Sequence, residues 1–66
     1  MNKDILEGQW KELKGKVKAK WAKLTDDDLD YISGRAEELK GIIQKRYGLK
    51  KDEADKEYDT FIKTIN

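Results

Sequence analysis

The chain has 66 residues, of which 44% are charged, and its 15 lysine and arginine residues nearly balance 14 aspartate and glutamate residues. It contains no cysteine, no histidine and no proline. The missing cysteines exclude disulfides and thiolate metal sites, and the missing histidines remove the commonest metal ligand and the usual general base. A chain this short has room for one small core, so we predict a single domain over residues 1–66.

Composition also restricts the function classes. With one serine, Ser33, and no phosphate-binding glycine loop, catalysis would depend on carboxylates, lysines or tyrosines in a pocket that so short a chain can hardly enclose. We therefore predict no enzyme activity, no cofactor, no metal and no small-molecule substrate. The first ten residues, MNKDILEGQW, lack the apolar core of a signal peptide, and no apolar run approaches the roughly 20 residues that span a bilayer. We expect a cytoplasmic monomer.

The first predicted element is an amphipathic helix. Its apolar residues recur at steps of three and four, which places them on one face at about 100° per residue. The stripe consists of Leu6, Trp10, Leu13, Val17, Trp21 and Leu24.

The second predicted helix begins at Thr25, which is a favourable N-cap, and Asp28 lies at the third helical position of a capping box. Its three consecutive aspartates could be considered as a divalent-metal site. Consecutive helical side chains diverge, however, so we interpret them as charges at the positive end of the helix dipole. The apolar stripe here comprises Leu29, Ile32, Ala36, Leu39, Ile43 and Tyr47.

Gly48 is suited to the left-handed residue that ends this helix, with Lys45 and Arg46 in the last turn. The third segment opens near Lys50, a residue that is a poor N-cap, so its start is less clearly encoded. Its apolar residues again step by three and four: Ala54, Tyr58, Phe61 and Ile65.

The tetrapeptide ELKG occurs at residues 12–15 and again at 38–41, within a wider similarity at an offset of 26 residues. We interpret this as two related helical units, with chance similarity in a Lys/Glu-rich chain as the alternative. A glycine inside a helix costs about 1 kcal/mol relative to alanine. Two explanations stay open: a bend or break near Gly15 and near Gly34 or Gly41, which we favour, or a close approach of another backbone. The fold prediction is all-α: two crosswise-packed helical hairpins made of three to five short helices.

Charge alternates along the chain in blocks: net +4 over residues 1–24, −4 over 25–34, +4 over 35–51 and −3 over 52–66. Acidic and basic segments can therefore neutralise each other within the fold or between molecules. The candidate contact residues for a nucleic acid or a protein partner are the lysines of the first helix: Lys14, Lys16, Lys18, Lys20 and Lys23. The same lysines with tryptophans could suit a membrane surface, although both tryptophans lie on the core stripe. A solvated lysine face is the default expectation.

Three linked blocks carry a family resemblance: WKELKGKVK near the start, KLTDDD in the middle and QKRYG before the last helix. On these residues the chain resembles, over nearly its whole length, the CsbD-like family of small bacterial stress-response proteins. It departs from the family pattern at residues 35–38, which are often more basic, and at Lys50, where a serine-type cap is natural. The resemblance implies a small helical domain and a role in the general stress response, and it brings no catalytic residues.

We accordingly predict a non-catalytic bacterial stress-response protein. It would act by association with an unknown protein partner or by protection through abundance. The alternative is weak, sequence-independent nucleic-acid binding through the lysine-rich first helix.

Overall fold

A computed structural model describes residues 8–65, which form four α-helices connected by short turns. Helix α1 spans Trp10–Lys20, α2 spans Asp26–Ile32, α3 spans Ala36–Tyr47 and α4 spans Lys51–Ile65. Between residues 8 and 65 there is no β-strand, so the all-α prediction is confirmed. None of the described helices is long and apolar enough to cross a membrane. The start of the first apolar stripe, Leu6, lies outside the described residues.

Helix α2 begins at the predicted capping box. The Asp28 N–H donates to Thr25 Oγ1 at 3.0 Å, and the Thr25 N–H donates to Asp28 Oδ2 at 3.0 Å. Each group satisfies a backbone donor that the first turn of a helix leaves free. The helix ends at Ser33 and Gly34, whose φ angles of 49° and 86° lie in the left-handed region. This turn reverses the chain into α3.

The turn between α3 and α4 is also defined by backbone hydrogen bonds. Gly48 has φ 67°, as predicted, and the amides of Gly48 and Leu49 both donate to the Gln44 carbonyl. Helix α4 then starts without a capping side chain from Lys50. Instead, the Lys50 N–H donates to Glu53 Oε1 at 2.8 Å, which is the carboxylate half of a capping box. The start of α4 is therefore stabilised by the side chain of Glu53, three residues after Lys50.

The glycines divide between turn and helix. The chain breaks at Gly34, one of the predicted positions, whereas α1 and α3 run without a break through Gly15 and Gly41. A Cβ atom added at Gly15 or Gly41 would meet nothing within 4 Å. The alternative explanation, that another backbone approaches these two glycines closely, is therefore wrong. Each exposes bare backbone to solvent on the outer side of its helix.

The apolar stripes of all four helices meet in one core. The Trp21 and Phe61 rings pack at a centroid distance of 5.1 Å and are tilted by 56°. The buried apolar residues are Leu13, Val17, Trp21, Leu24, Leu29, Ile32, Ala36, Leu39, Ile43, Ala54, Tyr58, Phe61 and Ile62. Ile62 is buried in the core, although the predicted apolar stripe of the last helix did not include it. Trp10, Tyr47 and Ile65, which belonged to the predicted stripes, are half-buried against the core.

The helices differ in how closely they approach one another. Helix α3 lies directly against both α2 and α4, whereas α1 reaches its neighbours mainly through side chains. The two ELKG segments lie inside α1 and α3, with a buried leucine and an exposed glycine in each. The crosswise arrangement of two hairpins and the structural equivalence of the two units stay predictions.

Candidate functional site

The candidate lysines lie along α1 and in the turn that follows it. Lys14 and Lys18 are half-buried, and Lys16, Lys20 and Lys23 are exposed. They occupy this position because the apolar face of α1, with Leu13 and Val17, is turned into the core. The surface that these five lysines form is called the lysine face below.

Two of these lysines pair with the acidic helix α2. Lys14 Nζ lies 3.2 Å from Asp30 Oδ1, and Lys18 Nζ lies 3.5 Å from Asp26 Oδ1. The lysines are one helical turn apart, and so are the aspartates, and the pairing order shows that the two helices run antiparallel. The acidic block of the sequence therefore neutralises part of the basic block within the same molecule.

Two further lysines contact other elements. Lys20 Nζ lies 3.7 Å from Glu57 Oε1 on α4 and 5.4 Å from the centre of the Trp21 ring. The Lys23 N–H donates to the Tyr47 hydroxyl at 3.1 Å, and Lys23 Nζ lies 5.1 Å from the centre of the Tyr47 ring. These contacts attach the carboxyl-terminal end of α1 to α3 and α4.

The lysine face is consequently divided by its contacts. Lys14, Lys18 and Lys20 each have a carboxylate within 4 Å, whereas no carboxylate of the described residues lies that close to Lys16. A phosphate backbone binding to the whole face would have to compete with three internal ion pairs. Binding of nucleic acid or of a protein partner at these residues stays a prediction.

One polar contact that sequence reasoning missed is a two-pronged ion pair between α2 and α3. Arg46 Nε donates to Asp28 Oδ2 at 2.8 Å, and Arg46 Nη2 donates to Asp28 Oδ1 at 2.9 Å. The Asp28 side chain is only 9% exposed. Sequence reasoning had given Asp28 a capping role and Arg46 a helix-dipole role. The sequence signal for this pair was an acidic residue in the first turn of α2 and an arginine in the last turn of α3. The short turn between the two helices makes α3 run back along α2, which brings these two turns together.

This pair determines the protonation of Asp28. The hydrogen bonds from Arg46, followed by the backbone N–H of Thr25, lower the pKa of Asp28 to about 2, against an opposing effect of burial. The Asp28 carboxylate in turn raises the pKa of Arg46. Asp28 therefore stays ionised and acts as a structural anion, which leaves it without a proton to donate in acid–base chemistry near neutral pH.

The core also contains polar atoms without a hydrogen-bonding partner. Trp21 Nε1 and the Tyr58 hydroxyl are buried in this way. Burial, with smaller effects from the nearby Asp59 and Glu37 carboxylates, raises the pKa of Tyr58. Tyr58 is therefore a neutral phenol near neutral pH.

Lys40 lies beside these groups. Its Nζ is 5.0 Å from the centre of the Tyr58 ring and 3.4 Å from Asp55 Oδ1, an ion pair that does not have hydrogen-bond geometry. None of these groups is arranged as a nucleophile with a base.

Two aspartates in the first turn of α2 have structural roles. Asp28 forms the capping box and binds Arg46, while Asp26 binds Lys18. Among residues 8–65 no group of three or more acidic side chains could hold a metal ion. Within residues 8–65 the arrangement is a charged surface on which six ion pairs join 12 of the 26 charged side chains.

Fold and surface together define a class: a small all-α domain with an apolar core and a charged exterior in which part of the charge is paired internally. Comparison with known proteins narrows this class. The CsbD-like family matches residues 4–56 of the chain. The chain therefore belongs to the CsbD-like family, as its resemblance indicated.

Curated relatives cover most of the sequence. The UPF0337 protein YjbJ of Escherichia coli O6:H1 is 56% identical over 63 residues, which are 96% of this chain and 91% of that protein. YjbJ of Escherichia coli K12 is 58% identical over 57 residues, 86% of this chain and 83% of that protein. The UPF0337 protein pc0632 of Protochlamydia amoebophila is 52% identical over 61 residues and covers 92% of each chain. No solved structure matches the chain significantly.

Proposed function

We propose that this chain is a non-catalytic protein of the bacterial general stress response that protects other macromolecules through its hydrated, charged exterior. Membership of the CsbD-like family supports the stress role. The observation that carries the protective mechanism is the composition of the exterior: Tyr31, at 64%, is the one large apolar side chain that is exposed among the described residues. The remainder of the outer surface is dominated by charged and small residues.

This surface favours protection over tight binding of one partner. Stable protein interfaces have an apolar, aromatic-rich centre that loses its water on binding. Among the described residues, Tyr31 is the one large apolar side chain that is mostly exposed. Five others are half-buried against the core: Trp10, Ile42, Tyr47, Leu49 and Ile65. Charged side chains of both signs keep the remaining surface hydrated. Because few large apolar side chains are exposed, a protein of this kind can reach high concentration, and it separates aggregating molecules by its presence between them.

The test is suppression of thermal aggregation of two enzymes that are unrelated to each other, measured by light scattering. We expect comparable suppression of both, increasing with the concentration of this protein and without a fixed stoichiometry. The matched control is an equal mass of another small protein of similar net charge. Equal suppression by the control, or suppression of one enzyme only, would contradict protection by a general mechanism.

A specific protein partner is the alternative within the same class. It would be recovered in stoichiometric amount from the lysate of stressed cells, and reversing the charge of the lysine face would abolish its recovery. Recovery that persists with the Lys16→Glu and Lys23→Glu variant would place the contact elsewhere.

The nucleic-acid hypothesis predicts affinity for duplex and single-stranded DNA at low salt, with a negative slope of the logarithm of the binding constant against the logarithm of the salt concentration. Affinity weaker than about millimolar, or affinity without that slope, removes this hypothesis.

A further inference from the structure

We propose that α1 is an arm that detaches from the rest of the fold as ionic strength rises, while α2, α3 and α4 stay together. This device is independent of the proposed protective function. Three separate features of α1 lead to it: its ends and interior, the exposure of its ion pairs, and the way it packs.

The first feature is that neither end of α1 has a capping side chain or a left-handed residue; α3 shares the uncapped start, at Arg35, and an interior glycine, Gly41, but ends in a left-handed glycine. The N-cap residue of α1, Gln9, makes no side-chain hydrogen bond, and its carboxyl-terminal end at Trp21 is not in the left-handed conformation. Its interior contains Gly15, whose bare backbone is offset by no tertiary contact within 4 Å. Helices α3 and α4, by contrast, have a left-handed glycine cap and a capping carboxylate, respectively.

The second feature is the environment of the ion pairs that connect α1 to its neighbours. In the Lys14–Asp30 pair the side chains are 43% and 69% exposed, and in the Lys18–Asp26 pair they are 43% and 89% exposed. The third pair of α1, Lys20–Glu57, is less exposed, at 35% and 46%. In the pair between α2 and α3 the Arg46 and Asp28 side chains are 37% and 9% exposed, and in the pair between α3 and α4 Lys40 and Asp55 are 21% and 40% exposed. Salt screens exposed pairs much more than partly buried ones, because water and counterions surround both charges.

The third feature is packing. Helix α3 lies directly against α2 and α4, whereas α1 is attached through side chains, chiefly Leu13, Val17 and Trp21. Partial unfolding of a protein occurs most readily in the unit that is most weakly attached to the rest. Screening of three exposed pairs, each of modest strength, would raise the population with α1 detached by about fivefold to tenfold between low and high salt.

Detachment has a specific consequence for the surface. It uncovers Leu13 and Val17 on α1, Trp21 directly after it, and Phe61 on α4, which are all buried in the closed form. The molecule would then present an apolar helical face only at raised ionic strength. The closed form has a hydrated exterior, and the opened form has a surface on which apolar segments can pack.

The experiment is native-state hydrogen exchange of the full chain, read by mass spectrometry or NMR, in about 0.02 M and about 0.5 M sodium chloride. We expect protection of the α1 amides to fall by about fivefold to tenfold at high salt, with little change in α3 and α4. Equal changes in all four helices, or no change in α1, would overturn the proposal.

Two matched variants separate the effect of the ion pairs from the effect of the positive charge on α1 itself. Lys14→Gln with Lys18→Gln removes both pairs to α2, so α1 should be less protected at low salt and should respond less to added salt. Lys11→Gln with Lys16→Gln changes two lysines of the same helix that have no carboxylate within 4 Å among the described residues. This control should behave like the unmodified protein. An equal loss of α1 protection in both variants would show that helix charge, and not pairing, holds the arm, and would overturn the proposal.

Discussion

At the scale of single residues, Asp28 is the polar group on which most local contacts converge. It caps α2, accepts both donors of Arg46 and is almost fully buried. An acceptor with this many charged and backbone donors stabilises the fold only while it is ionised. Its replacement therefore leaves Arg46 without its partner and Thr25 without part of its cap.

Asp28→Asn should lower the free energy of unfolding by about 1 to 2 kcal/mol near neutral pH. The folded-state pKa of Asp28, about 2, lies below its ordinary value of 3.8, so this stabilisation is present above about pH 4 and is lost as pH falls toward 2. Urea denaturation of both proteins across this range would measure it. The control is Asp27→Asn, an exposed neighbour in the same first turn, which should change stability much less. A difference between Asp28→Asn and the parent that persists undiminished at about pH 2 would contradict this account.

The Tyr58 hydroxyl gives a residue-scale prediction of opposite sign. It is buried without a hydrogen-bonding partner, and its removal relieves a desolvation penalty without breaking a bond. Tyr58→Phe should therefore raise the free energy of unfolding by about 0.5 to 1 kcal/mol, measured by urea denaturation. A loss of stability of about 1 kcal/mol or more would instead indicate that the hydroxyl has a partner in solution.

At the scale of elements, the two kinds of glycine should respond oppositely to alanine. Gly15 lies in the interior of α1, where an added Cβ meets nothing within 4 Å, so Gly15→Ala should stabilise the protein by about 1 kcal/mol. Gly48 has equal space but a φ of 67°, and Gly48→Ala should destabilise it by about 1 kcal/mol through backbone strain. Thermal and urea denaturation of the two variants provide the comparison. Changes of the same sign would show that side-chain space and not backbone conformation controls both sites.

Sequence reasoning succeeded at this scale where the signal is local. The step of three and four residues placed the buried face of every helix, and the pattern from Thr25 to Asp28 located a capping box that the structure contains. Local signals failed where two elements must meet. The pair between Asp28 and Arg46 depends on how α2 folds back along α3, which no spacing within one helix encodes. Glycine energetics alone also could not decide between turn and helix, since Gly34 ends a helix whereas Gly15 lies inside one.

The lysine face shows the same limit for function. The sequence identifies five lysines in one segment, and composition alone would class them as a basic surface. The structure brings Asp26 and Asp30 to two of them and Glu57 to a third, because the acidic blocks fold back on the basic one. Net charge per segment therefore overstates the free positive charge of the surface. Alternating blocks in a chain of this length are better interpreted as internal pairing first and as a binding signal second.

At the scale of the whole molecule, the fold depends on one core that α1 completes through Trp21. The ring of this residue packs on Phe61 of α4, so its environment reports whether the first and last helices are together. Trp10→Phe leaves Trp21 as the single tryptophan of the chain. At low salt its fluorescence should be blue-shifted and several-fold less quenched by acrylamide than in the urea-unfolded protein. The companion variant Trp21→Phe retains the half-buried Trp10 and should show intermediate quenching. If Trp21 were quenched as readily in the folded protein as in urea, α1 would not close the core and the four-helix arrangement would be wrong.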